Sequence, residues 1–356
     1  MPALNPEALL GFLHQMPKVE LHCHLLGTVQ RQTLLDWSRR AGMPLSEAEI
    51  EAFYVRGEKP VGVLRVLRAQ EQLLHRSAED LYRLVIEYLQ AASAHQVRYA
   101  EIFWNPTGSM RDSGIPYADA VDAMIRGLRD AQSQWGIIGR LVPSIDREAS
   151  VEEALQMVDE MIVHRRDEVI GLGIDYREND RPPELFAQAY QRAGRAGFKR
   201  TAHAGEFGCP WTHVQTAIDA LGVDRIDHGY TVLDHPPLVQ ACIERDIVFT
   251  VVPTNSYYLR TLPRERWALD HPIRHMPRQG LKVHPNTDDP TLHLVTPTQA
   301  WHMMVRDFDF GLADLRDFMH HGLQAAWIDD STRRQWRAEF DQTWDALLAR
   351  HGLASA

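Results

Sequence analysis

The chain has 356 residues, 44% of them hydrophobic and 24% charged, a composition that excludes collagen-like and disordered classes and supports a large core. Asp and Glu (48) outnumber Lys and Arg (38), for a formal charge of -10; this disfavours attraction to nucleic-acid phosphates or anionic lipid and fits a small, neutral or cationic ligand. The three cysteines, Cys23, Cys209 and Cys242, make neither an even-numbered framework nor a CxxC pair, which speaks against a disulfide scaffold and for a reducing, cytoplasmic compartment.

Met1–His14 lacks a basic segment followed by a long apolar run, so neither a secretion signal nor a membrane partner is expected. The first strand is predicted over Lys18–His22. Thr28–Ala94 is too long for one crossover and reads as several added helices over a barrel mouth, with Val63–Leu74 and Ala78–Ala92 as the clearest pieces. Further strands are predicted at Val97–Trp104, Ile137–Ile145, Val169–Ile174, Phe198–His203, Arg225–His228, Ile247–Val252 and Leu281–Asn286, with Arg225–His228 the weakest. Between them Ala118–Gln134, Val151–His164 and Glu184–Arg195 carry apolar residues at helical spacing, and after Asp288 the chain is mostly helical, through Trp301–Phe308 and Arg333–Leu348. Strands alternating with helices imply a parallel sheet. Eight such units, with no GxGxxG turn to mark a nucleotide crevice, predict an α/β fold of the (β/α)8 TIM-barrel type. No linker, repeat or low-complexity run divides the chain, so residues 1–356 are read as a single domain with extra helices over the mouth and at the C-terminus.

His22 and His24 end the first strand two residues apart, which turns both imidazoles to the same side of the sheet. A lone HxH in a chain with 18 histidines is weak. Other strand ends add to it: His203 closes the fifth strand and Asp288 the eighth. Three neutral imidazoles and a carboxylate suit one divalent metal, with zinc expected and iron, manganese or cobalt able to use the same set. Glu206, three residues after His203, can reach a substrate beside the metal without being a ligand; otherwise it is a carboxylate at a helix start. His228, at the end of the sixth strand, can stabilise charge on an attacking oxygen or be a packed structural histidine. Asp289 either supports its neighbour Asp288 or contacts substrate, since adjacent residues point differently. The set meets the needs of hydrolytic attack on an aromatic amidine: an activated water, a proton donor for the ring nitrogen and a group at the attacking oxygen.

These motifs, in this order, resemble the adenosine/adenine deaminase family of metal-dependent TIM-barrel hydrolases. The resemblance spans nearly the whole chain, through Pro17-Lys18-Val19-Glu20-Leu21-His22-Cys23-His24-Leu25, Arg98-Tyr99-Ala100-Glu101-Ile102-Phe103, Gly173-Ile174-Asp175, His203-Ala204-Gly205-Glu206, Asp227-His228-Gly229-Tyr230 and Asn286-Thr287-Asp288-Asp289-Pro290. It implies that His22, His24, His203 and Asp288 hold the metal, that Glu206 shuttles the proton, that His228 activates water and that Asp289 hydrogen-bonds a purine. A substrate wall is expected from Leu26, Gly27, Asp175, Glu178 and Asp289.

Two positions depart from the adenosine deaminase pattern. Leu26 stands where the family usually has an acidic residue, which contacts ribose in adenosine deaminases. Glu178 stands where those enzymes have Gly and the adenine deaminase branch has Glu. A base or modified aminopurine is therefore as acceptable a reading as adenosine. The HxE and PCxxC signature of the other large zinc-deaminase family is missing. The expected reaction is hydrolysis of a 6-aminopurine to the 6-oxo product and ammonia. The alternatives are another TIM-barrel metal hydrolase and a catalytically silent purine binder on the same fold.

Overall fold

A computed structural model describes residues 5–55, 62–74 and 77–353. Met1–Leu4, at the start of the stretch read for a targeting signal, and residues 56–61 and 75–76, within the long helical excursion, lie outside the described residues.

Eight strands follow in chain order: β1 (Lys18–His24), β2 (Val97–Trp104), β3 (Ile138–Asp146), β4 (Gly171–Asp175), β5 (Lys199–Ala204), β6 (Arg225–His228), β7 (Val248–Val251) and β8 (Lys282–Pro285). Each pairs in parallel with the next. The ring closes where the His24 amide donates to the Asp288 carbonyl at 2.9 Å and the Asp288 amide donates to the His22 carbonyl at 3.0 Å. These bonds also explain why β1 runs two residues beyond its expected end at His22. The result is the expected (β/α)8 barrel, whose functional groups by its nature gather at the C-terminal ends of the strands.

The excursion between β1 and β2 contains helices Arg31–Arg40, Glu47–Phe53, Val63–Leu74 and Ala78–Ser93. Val63–Leu74 is anchored to the barrel mouth by Arg68, which makes two 2.7 Å bonds to the Asp146 carboxylate and stacks on Tyr176 with its guanidinium carbon 3.8 Å from the ring centroid. After β8 the chain is helical through Pro297–Arg306, Leu312–Ala325 and Asp330–His351. Among the described residues no helix is long and apolar enough to cross a membrane.

The barrel interior is polar, and this makes β6 hard to read from hydrophobic alternation. Arg225 and Asp227 are both buried. Arg225 donates to Glu101 on β2 at 2.5 Å and to the Leu21 carbonyl at 3.0 Å. Asp227 accepts from the Thr201 hydroxyl on β5 at 2.8 Å and from the Thr250 hydroxyl on β7 at 2.7 Å. Every polar residue of β6 thus has partners inside the barrel, as burial of a charge demands.

Candidate active site

Four side chains from β1, β5 and the turn after β8 converge at the mouth. The candidate donor atoms of His22, His24, His203 and Asp288 lie within 4.8 Å of one another, and all four residues are buried. His24 Nε2 is 3.1 Å from His203 Nε2 and 3.2 Å from Asp288 Oδ1, and His22 Nε2 is 3.5 Å from the same oxygen. Donors about 2.0–2.1 Å from a tetrahedral ion lie about 3.3–3.4 Å apart, so this spacing is that of a coordination shell.

The surroundings of the rings point the same way. The Nδ1 of His22 faces the Thr250 carbonyl at 3.2 Å and its hydroxyl at 3.1 Å, that of His24 faces Asp175 at 3.2 Å, and that of His203 faces Asp227 at 3.5 Å. The two contacts of His22 are hydrogen bonds that hold its proton on Nδ1 and leave its Nε2 lone pair free, as metal-binding histidines require; beside His24 and His203 the carboxylates of Asp175 and Asp227 stand close without forming a hydrogen bond. The Nε2 atoms of three rings and a carboxylate oxygen meet here, and His22 Nε2 has no hydrogen-bond partner among the described residues. A cation satisfies all of them. Burial, reinforced by the crowding of the neighbouring rings, holds His203 and His228 well below the usual histidine range. They are therefore neutral.

Backbone geometry aims two of the groups. His228 and Asp288 have φ of 65° and 64°, a left-handed conformation uncommon outside glycine and found where structure over-determines it. At His228 the effect is to turn the ring toward the mouth although Asp227, one residue earlier, also points inward. The His228 ring centroid lies 4.6 Å from that of His22 and 5.0 Å from that of His203.

Glu206 completes the site. Its carboxylate accepts from Asn255 Nδ2 at 3.1 Å and lies 3.6 Å from His228 Nε2. Burial, and after it the charges of Asp288 and Glu178, push its carboxyl well above the usual range. The turn that delivers Glu206 from β5 requires Gly205, which has φ of 67° and whose missing Cβ would stand 2.4 Å from Thr231 Oγ1. Glu206, His228, Asp288, Asp289, Asp175 and His24 line one cavity, roofed by Leu64 and Leu67 and flanked by Tyr176 and Phe207.

Three of the expected substrate-wall residues are elsewhere. Leu26 belongs to the hydrophobic core and does not line this cavity. Gly27 packs against Asp289 so closely that a Cβ would meet Asp289 Oδ1 at 2.0 Å; it makes room for that carboxylate without forming the wall. Glu178 is turned away, with its oxygens engaged by the amides of Gly205 and Glu206 and by His213. Asp175 does line the cavity, but its Oδ2 faces His24 and its Oδ1 accepts from Asn105 at 2.6 Å. Thr250, Asp227 and Asn255 escaped the sequence reading. Asp227 stands in the quoted Asp-His-Gly-Tyr motif and was within reach of it; Thr250 and Asn255 carry no local signal.

Barrel and site together define a metal-dependent hydrolase of the TIM-barrel type. The chain belongs to the adenosine deaminase family, whose model matches residues 17–343. It is similar to an adenine deaminase of Rhodospirillum rubrum, with 36% identity over 79% of this chain and 83% of the relative. A solved amidohydrolase from Burkholderia ambifaria with bound zinc is 56% identical, covers 99% of this chain and 97% of its own, and superposes with a TM-score of 0.97. The crystal structure of an adenine deaminase from Arthrobacter aurescens is 27% identical over 92% of this chain and 98% of its own, with a TM-score of 0.83.

Proposed function

We propose that this protein deaminates a 6-aminopurine hydrolytically, with His22, His24, His203 and Asp288 holding the metal and Glu206 and His228 moving protons. The observation that carries the reading is the meeting of four metal donors, a protonatable carboxyl and a neutral imidazole around one cavity. Zinc suits a shell of three nitrogens and a carboxylate oxygen, and the B. ambifaria protein carries zinc. When bound, such an ion lowers the pKa of water from 15.7 towards about 7, which makes hydroxide available at neutral pH.

The side chains supply the rest. Glu206 donates its proton to the ring nitrogen next to C6, which makes that carbon more electrophilic. His228 accepts a hydrogen bond or proton from the attacking oxygen. The C6–O bond forms and the C6–N bond breaks; of the two protons lost by the attacking water, one leaves on the departing amine and the other passes by way of His228, 3.6 Å from Glu206, to restore the Glu206 carboxyl. Asp289, on the cavity wall, hydrogen-bonds the purine and orients it for attack. β4, Gly-Leu-Gly-Ile-Asp, carries no lysine to bridge a second metal, which favours a single ion. The whole chain is read as one barrel unit, and its three buried free thiols fit the reducing cytoplasm.

The proposed substrate is a base or an N6-substituted purine in preference to adenosine. Leu64 and Leu67, which line the cavity, offer a ribose hydroxyl no acceptor, a hydrogen bond worth about 0.5–1.5 kcal/mol net, and Leu26, in the core, puts no carboxylate in their place. The adenine deaminases among the relatives fit this preference. Adenine or an N6-substituted purine is expected to show a higher kcat/KM than adenosine, read from 6-oxopurine formation by ultraviolet absorbance. A preference for adenosine over every base and modified purine would overturn the substrate reading and leave the reaction class standing.

A further inference from the structure

Glu178 lies in the loop after β4, buried to 1% exposure, and serves the backbone of another loop. Its Oε1 accepts from the Gly205 amide at 2.9 Å and from His213 Nδ1 at 2.8 Å, and its Oε2 accepts from the Glu206 amide at 3.1 Å. Burial opposes its ionisation, but the His213 bond, the Arg147 charge and the Gly205 amide outweigh it and keep the carboxyl below the usual range. Hydrogen bonds from N–H groups to an ionised carboxylate are roughly twice as strong as neutral ones. Both amides belong to the two residues that carry the chain from Ala204, at the end of β5, to the Glu206 side chain. At its far end that side chain is held by Asn255.

We propose that Glu178 is a positioning residue for proton transfer: it clamps the Gly205–Glu206 backbone so that the Glu206 carboxyl stays aimed into the cavity beside His228, and it touches no substrate. The inference rests on the reading of Glu206 as the proton carrier. Glu178, Cys209 and His213 are also close enough together to hold a cation. Against that use, both carboxylate oxygens already accept backbone N–H bonds.

The test compares Glu178→Gln, Glu206→Gln and the double variant in the metal-loaded full chain, by kcat, KM and metal content. Gln keeps one acceptor oxygen and sets an NH2 against a backbone N–H, so the turn should shift by a fraction of an ångström. A misplacement of about 1 Å can cost 10²-fold in rate, so a roughly 10- to 100-fold lower kcat is expected. KM should stay within about 3-fold, because no uniform binding is lost. Metal content should be unchanged, and the double variant should be no slower than Glu206→Gln alone. If Glu178→Gln does not fold, Glu178→Asp, which keeps the charge, should show the same lack of additivity. Full additivity of the two losses would overturn the proposal, as would a loss carried by KM, or a fall from two metals per chain to one in the Glu178 variant. Near-normal turnover by Glu206→Gln alone would instead sink the proton-carrier reading, a separate result.

Discussion

Glu206→Gln is expected to keep the fold and the metal and to lose roughly 10² to 10⁴ in kcat, the usual contribution of a positioned acid or base. The substitution is nearly isosteric, and the amide oxygen can still accept from Asn255 Nδ2, now 3.1 Å from Glu206 Oε1. It removes only the proton. Because the same group protonates the ring nitrogen and assists the amine, loss of its proton slows both bond formation and bond cleavage, and KM should change far less than kcat. Elemental analysis together with steady-state kinetics checks the expectation. Near-normal turnover would remove Glu206 from the chemistry.

His203→Ala should fail differently. Its Nε2 lies 3.1 Å from that of His24, so the variant loses one of the four donors outright. Asp227, deep in the barrel, also loses the imidazole 3.5 Å away. Metal content is expected to fall to a small fraction of the wild-type value, with turnover falling in proportion. Full, tightly held metal in the variant would exclude His203 as a ligand. His228→Ala is the contrast within the same cluster of rings, because a ligand and a group at the attacking oxygen part company on metal content.

The strands were legible in the sequence because they follow a simple periodicity, and the four side chains read as candidate metal donors stand at or just past strand ends, where the fold brings them together. His22 and His24 share a face of β1 by the period of two, and each strand–helix alternation marks one barrel unit. What the sequence hid depends on local backbone or on distant partners. The left-handed φ of His228 and Asp288 breaks the period of two at strand ends, so alternation cannot say which way those side chains point. Leu26, next to the first motif, gives no sign that it enters the core, and Gly27 gives none that it packs on Asp289, which stands on a turn more than 260 residues later. Glu178 stands in a motif shared with substrate-contacting enzymes, and only the position of the Gly205–Glu206 amides reveals a different use. β6 reads poorly as a strand because its charged residues face a polar barrel interior, where Glu101, Thr201 and Thr250 meet them.

The most direct test of hydrolytic aminopurine deamination is the product balance of the metal-loaded wild-type chain with adenine and with N6-substituted purines, measured by chromatography of the purine and assay of the released amine. Equimolar 6-oxopurine and amine, formed over many turnovers and lost when the metal is stripped, is the expected result. Purine that binds to the metal-loaded protein and is recovered unchanged would contradict the account.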